Sequence, residues 1–244
     1  MERPIIFSGE MVRAILEGRK TQTRRVMIPQ PPHHTWSHYK SDKFNFLSEG
    51  GQYIKCPYGQ PGDRLWVRET WKPGAWREDD GLIAIDYKAS PEITSTPWVQ
   101  IHDDYDGEKF NSFWLSICDE LYKSGIRPDR NGEYHWEHGK SPLKWRPSIF
   151  MPKWASRIAL EIVNVKAERV QDISEEDAIA EGCIGLRCEH TYSSEYGCTD
   201  CLNTGWIEPP SLDFMNLWNL INGKKYPWES NAWVWVIEFK RIDN

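Results

Sequence analysis

ILEGRKTQTRR, residues 15–25, changes character in its middle: an apolar helical stripe stops, and four cations close around two threonines. Upstream, PIIF (residues 4–7) reads as a first strand, and Ser8 is placed to cap a helix over about 9–17. Met11, Val12, Ile15 and Leu16 share one face of that helix. Gly18 then ends it where a left-handed residue is wanted, so the basic cluster begins at a helix C-terminus, whose dipole favours cations. If Lys20 belongs to the turn and the next strand starts at Thr21, then Thr21, Thr23 and Arg25 share a face and the lysine folds over it. A lysine crowded by Arg19, Arg24 and Arg25 has its pKa pushed down toward that of a useful base, and a threonine hydroxyl beside it becomes a nucleophile. A lysine that stays charged could instead stabilise an oxyanion. The bland alternative is a solvated basic turn followed by strand threonines. Acyl transfer from an amide also needs an acid for the leaving nitrogen, and these residues supply none.

Composition narrows the classes. The 244 residues are 39% hydrophobic, enough for a substantial core, and the formal net charge is -6. That balance argues against sequence-independent wrapping of DNA, which needs a broad basic face. A small substrate or a short, locally held nucleic acid fits better. No apolar run approaches the roughly 18 residues of a membrane span, and Met1 to Phe7 lacks the apolar core of a secretory signal, so a cytoplasmic protein with no membrane partner is expected. Fourteen tryptophans serve mainly to pack irregular loops, with one or two available as stacking platforms for a base.

Regular elements alternate with irregular ones. CPYGQPGDRLWVRETW (56–71) holds a turn and a strand, a strand is placed at 82–88, and a helix near 110–123. In SRIALEIVNVKAERV (156–170) the apolar phase shifts after Ile162, which marks a bulge. ISEEDAIAEG opens a helix with Ser174 as N-cap, Asp177 at its third position and Glu181 near its end. LDFMNLWNLING is an amphipathic helix, and AWVWVIEFKRI is a strand buried on at least one face. The pattern predicts one α+β domain on a small barrel-like sheet, with insertions at about 27–55, 72–150 and 184–210.

ILEGRKTQTRR resembles the signature of the ASCH domain family, whose small β-barrel is PUA-like. The signature residues fall on Gly18, Lys20, Thr23 and Arg25. Similarity is greatest to the short N4-acetylcytidine amidohydrolases of that family, through a Gly-Asp turn (Gly62-Asp63), the helix motif Ile173 to Glu181 and the terminal VIEFK (Val236 to Lys240). The extra length and RPSIFMPKWASRI (146–158) resemble longer ASCH proteins of phages and prophages. The resemblance implies a catalytic set of Lys20, Thr23 and Glu181, and so names the missing carboxylate.

The leading expectation is an amidohydrolase that removes an acyl group from an N4-acylated cytidine-type nucleoside or related modified base. Thr23 is the nucleophile, Lys20 activates it and Glu181 is acid and base, while Arg25, Trp66 and Trp154 hold the substrate. The alternatives are a PUA-like module that binds RNA or a modified base without catalysis, and a ribonuclease using Glu69 with His135 or His138. Cys188-x-His190 and Cys198-x-x-Cys201 have the spacing of a closed tetrahedral zinc site, with Cys183 as a substitute ligand; such a zinc would be structural. No organic cofactor is expected.

Overall fold

The computed structural model of the chain describes residues 1–31, 45–47, 53–77, 81–90, 98–100, 107–137, 139–189 and 204–242. Its strands are β1 (Glu2–Ile6), β2 (Gln22–Val26), β3 (Asn45–Leu47), β4 (Tyr53–Lys55), β5 (Arg64–Arg68), β6 (Trp71–Arg77), β7 (Leu82–Tyr87), β8 (Trp98–Gln100), β9 (Ala159–Arg169), β10 (Leu186–Arg187), β11 (Trp206–Glu208) and β12 (Trp233–Ile242). Its helices are α1 (Gly9–Leu16), α2 (Gly107–Lys123), α3 (Glu175–Ala180) and α4 (Pro210–Asn222). This is an α+β chain. The described strands form four separate sheets and close no barrel among themselves. No described helix is long and apolar enough to cross a membrane.

Two compact units divide the chain. The first comprises Met1–Arg3, Ala14–Leu65 and Leu160–Asp243, and the second is built chiefly from Pro4–Arg13 and Trp66–Ala159. All strands of a five-stranded sheet, ordered β1-β5-β9-β12-β2, contribute residues to the first unit. β12 runs antiparallel to β2, with Ile237 opposite Thr23 and Val236 opposite Arg24. Flanked by β9 and β2, it is covered on both faces, and Val234 to Ile237 are all buried. The alternation of Trp233, Trp235, Ile237 and Phe239 read from the sequence therefore understates its burial. In β9 Ile162 is buried, Val163 is 51% exposed and Val165 is buried again, the expected change of phase. Ala178 of α3, Phe214 and Trp218 of α4, and Val234 and Val236 of β12 make one apolar cluster with Val170 and Cys183. Each such side chain, fully buried, contributes roughly 1.5–3 kcal/mol, so this cluster fixes α3 beside the sheet.

The expected strand at 82–88 and helix near 110–123 are β7 and α2, and both segments read as insertions carry further strands. β3 and β4 pair antiparallel, Asn45 opposite Lys55, inside the 27–55 segment. Within 72–150, β6, β7 and β8 form the second unit's sheet. Lys72, Pro73 and Gly74 disguise β6, yet the ladder accommodates the proline by shifting register between Pro73 and Ala75. Trp71, Ile83, Ile85 and Tyr87 pack with Met151 and Ala155, and Ile117 and Leu121 of α2 with Leu143.

Candidate active site

Gly18 adopts φ +76°, a conformation that costs an L side chain and lets the chain leave α1 at a sharp angle. The Arg19 and Lys20 amides both donate to the Ala14 carbonyl, at 2.9 and 3.0 Å. This turns the lysine stem inward, and Lys20 is only 2% exposed. One residue later the Thr21 amide donates to the Ala180 carbonyl at 2.9 Å, while the Thr21 carbonyl accepts from Phe239 N at 2.8 Å. The start of β2 is thus stitched to the last residue of α3 and to β12.

That stitch decides where Glu181 goes. Ser174 caps α3 as expected, its hydroxyl accepting from Asp177 N at 3.1 Å, and Glu181 is the residue that closes the helix. Gly182 follows with φ +94°, and a Cβ there would stand 3.1 Å from Ala14 Cβ and 3.4 Å from Lys20 Cβ. Glycine therefore allows the end of α3 to approach the turn after α1. Across this gap Lys20 Nζ donates to Glu181 Oε2 at 2.7 Å and to the Glu181 carbonyl at 2.7 Å. Two residues 161 positions apart, both proposed from the sequence, form one buried ion pair.

Around this pair lies a network that the sequence did not announce. Arg24 Nη1 donates to Glu181 Oε1 at 3.4 Å, and Arg24 Nη2 donates to Asp177 Oδ2 at 2.7 Å and to Glu168 Oε1. Lys166 Nζ adds ion pairs to Glu168, at 3.2 Å, and Asp177, at 3.6 Å. Phe214 lies beside the Arg24 guanidinium, 5.7 Å from ring centre to Cζ. Arg24 thus helps to orient the Glu181 carboxylate. Arg25 is set against Tyr58, 5.9 Å from its ring centre, and burial lowers its pKa against the opposing influence of Tyr58 and Glu181.

Burial also corrects the electrostatic expectation for Lys20. Its pKa is lowered chiefly by desolvation, only partly offset by the charge and hydrogen bond of Glu181; among the arginines Arg25 makes a minor contribution. Arg19 instead pairs with Glu17 at 2.7 Å in solvent. Asp177 is affected oppositely: burial raises its pKa, but the Arg24 hydrogen bond and the charges of Arg24 and Lys166 outweigh it, and the net shift is downward.

Thr23 lies in β2, 2% exposed, and Glu181 is 3% exposed, so with Lys20 the three candidate groups are shut away from bulk water in this structure. Trp66 and Trp154 belong to the second unit. Trp66 carries the Arg68 guanidinium 4.6 Å over its ring, and Trp154 packs edge-on against Trp71 at 5.7 Å and Phe113 at 5.4 Å. The ribonuclease candidates lie there too. Glu69 is buried and held by both Arg157 Nε and Nη2, at 2.9 and 3.0 Å, and His135 is an exposed partner of Asp129 at 2.9 Å. His138 lies outside the described residues.

Of the predicted zinc ligands, Cys188 is half-buried at the base of a stem in which β10 pairs with β11 and its own amide donates to Gly205 O at 3.1 Å. His190, Cys198 and Cys201 fall between the two strands, outside the described residues. Cys183 is buried in the apolar cluster, and that burial pushes its thiol up to about 12. No family model matches the chain, and no curated protein or solved structure does either.

Proposed function

We propose that the chain is an amidohydrolase of PUA-like, ASCH type that removes the acyl group of an N4-acylated cytidine or a similar modified nucleoside. The observation that carries the reading is the 2.7 Å bond between Lys20 Nζ and Glu181 Oε2, with Thr23 three residues on in β2. Moving one proton along that bond converts an ammonium and a carboxylate into a neutral amine and a carboxylic acid. These are the base and the acid that amide cleavage needs, and the desolvation that depresses Lys20 favours the exchange.

In the acylation step the Thr23 hydroxyl oxygen attacks the amide carbonyl carbon and its proton passes to the Lys20 amine. Arg25 faces the developing oxyanion. Collapse breaks the bond to N4, Glu181 donates its proton to that nitrogen, and the amine leaves. Water then attacks the threonine ester while the Glu181 carboxylate takes its proton, and the returning threonine alkoxide recovers a proton from the Lys20 ammonium. The net change is one amide and one water into one carboxylic acid and one amine. Arg24, itself held by Asp177 and Glu168, holds the Glu181 carboxylate throughout, and a structural zinc at Cys188, His190, Cys198 and Cys201 would brace the segment that follows it.

Burial of all three groups favours a second reading, a PUA-like module in which the Lys20–Glu181 pair is structural and the surface binds a modified base or short RNA without turnover. Release of acetate from N4-acetylcytidine separates the two. The hydrolase reading expects release by the wild type and none by Thr23→Ala. Full activity in Thr23→Ala refutes the assignment, and binding without release by the wild type favours the module.

A further inference from the structure

The second unit contains a cavity that the reading above leaves unused. Its volume is about 640 Å³, within the roughly 300–1,000 Å³ typical of small-molecule sites. One wall is the end of β6, through Trp76 and Arg77, and another is the turn from Asn131 to Trp136. Trp76, Tyr134 and Trp136 give it one aromatic side. Trp76 lies 5.9 Å from Tyr134 and 5.5 Å from Trp136, at interplanar angles of 62° and 58°. Trp114 of α2 completes the lining.

The turn is ordered by its own bonds. Asp129 Oδ1 accepts from the amides of Asn131 and Glu133, at 2.8 and 2.9 Å, and Oδ2 lies 2.9 Å from His135 Nε2. Both carboxylate oxygens are therefore occupied within the turn. Although Asp129, Glu133 and His135 bring ligand atoms within 4.8 Å of one another, the acidic cluster serves the turn's conformation and gives no ground for a metal. The lining carries charges of both signs, Arg77 and Glu133, and Asp129 pairs with His135. A wall balanced in this way does not draw in a polyphosphate, whose affinity comes from unopposed cations.

We propose that this cavity binds an uncharged planar heterocycle, a nucleobase or nucleoside, stacked among Trp76, Tyr134 and Trp136 with its polar edge read by Asn131 and Glu133. Aromatic stacking accepts any base, so discrimination is modest and comes from the edge contacts. This inference does not rest on the hydrolase reading.

Indole ¹⁵N–¹H spectra of the full chain, titrated separately with cytidine, adenosine and glucose, test it. Both nucleosides are expected to shift the Trp76, Trp114 and Trp136 signals saturably, with glucose inert. Tyr134→Ala should weaken binding about tenfold or more, and Asn131→Ala provides a surface variant should the first fail to fold. Absence of saturable shifts in the wild type overturns the proposal. Equal shifts with glucose would mark a carbohydrate site instead and overturn it as well.

Discussion

Lys20 and Glu181 constrain each other. An ammonium buried without its carboxylate, or the reverse, is far costlier than the intact pair, so Lys20→Met and Glu181→Leu should each destabilise by about 3–5 kcal/mol, while the double variant should unfold within about 1 kcal/mol of wild type or above it. Denaturant titration of the three proteins checks this, and near-additive losses would mean the pair is not coupled. The sign of the pH effect follows from the same desolvation. The folded pKa of Lys20 lies below its ordinary 10.5, so between the two values the unfolded chain holds the extra proton and stability rises with pH. Relative to the double variant, the wild type should therefore gain stability as pH climbs toward 10.5. Asp177 gives the same sign at the acid end: its folded pKa lies below 3.8, so its contribution is present above 3.8 and is lost as pH falls through the folded value. Asp177→Asn should remove that acid loss from a stability profile measured by circular dichroism.

At the level of elements, the site depends on how α1 ends and how α3 begins and ends. Ser174→Ala removes the cap of a six-residue helix and should cost about 1 kcal/mol. Gly182→Ala puts a side chain at φ +94° within 3.4 Å of two neighbouring Cβ atoms and should cost about 1–3 kcal/mol. If acetate release is observed, Gly182→Ala should reduce it more than Ser174→Ala does, because it parts Glu181 from Lys20 directly; the reverse order would argue against that contact. These ends were legible in the sequence, since Gly18, Ser174 and Gly182 carry local signals. The role of Arg24 was not. Its acceptors come from β9 and α3, more than 140 positions away, and strand alternation pointed to Arg25, on the face of Thr23, instead. β6 was hidden for another reason: Pro73 and Gly74 are strand breakers in isolation, and only the register shift in its ladder with β7 accommodates them.

For the whole molecule, an α+β chain was legible from strands separated by helices, whereas its division into two compact units was not. The second unit draws on Pro4–Arg13 as well as on Trp66–Ala159, a grouping with no local signature. With a net charge of -6 and its cations committed to carboxylates around the candidate site, the chain should bind single-stranded RNA weakly and with a shallow salt dependence. The central claim, that Thr23 attacks an amide with Lys20 and Glu181 as proton carriers, is tested most directly by acid-quenching the protein with N4-acetylcytidine and mapping acetylated peptides by mass spectrometry. The account predicts an acetyl group on Thr23 in the quenched wild type and none in Glu181→Gln, which lacks the acid that acylation needs. Acetate release with no Thr23 adduct in either protein, or an adduct confined to a lysine, would contradict it.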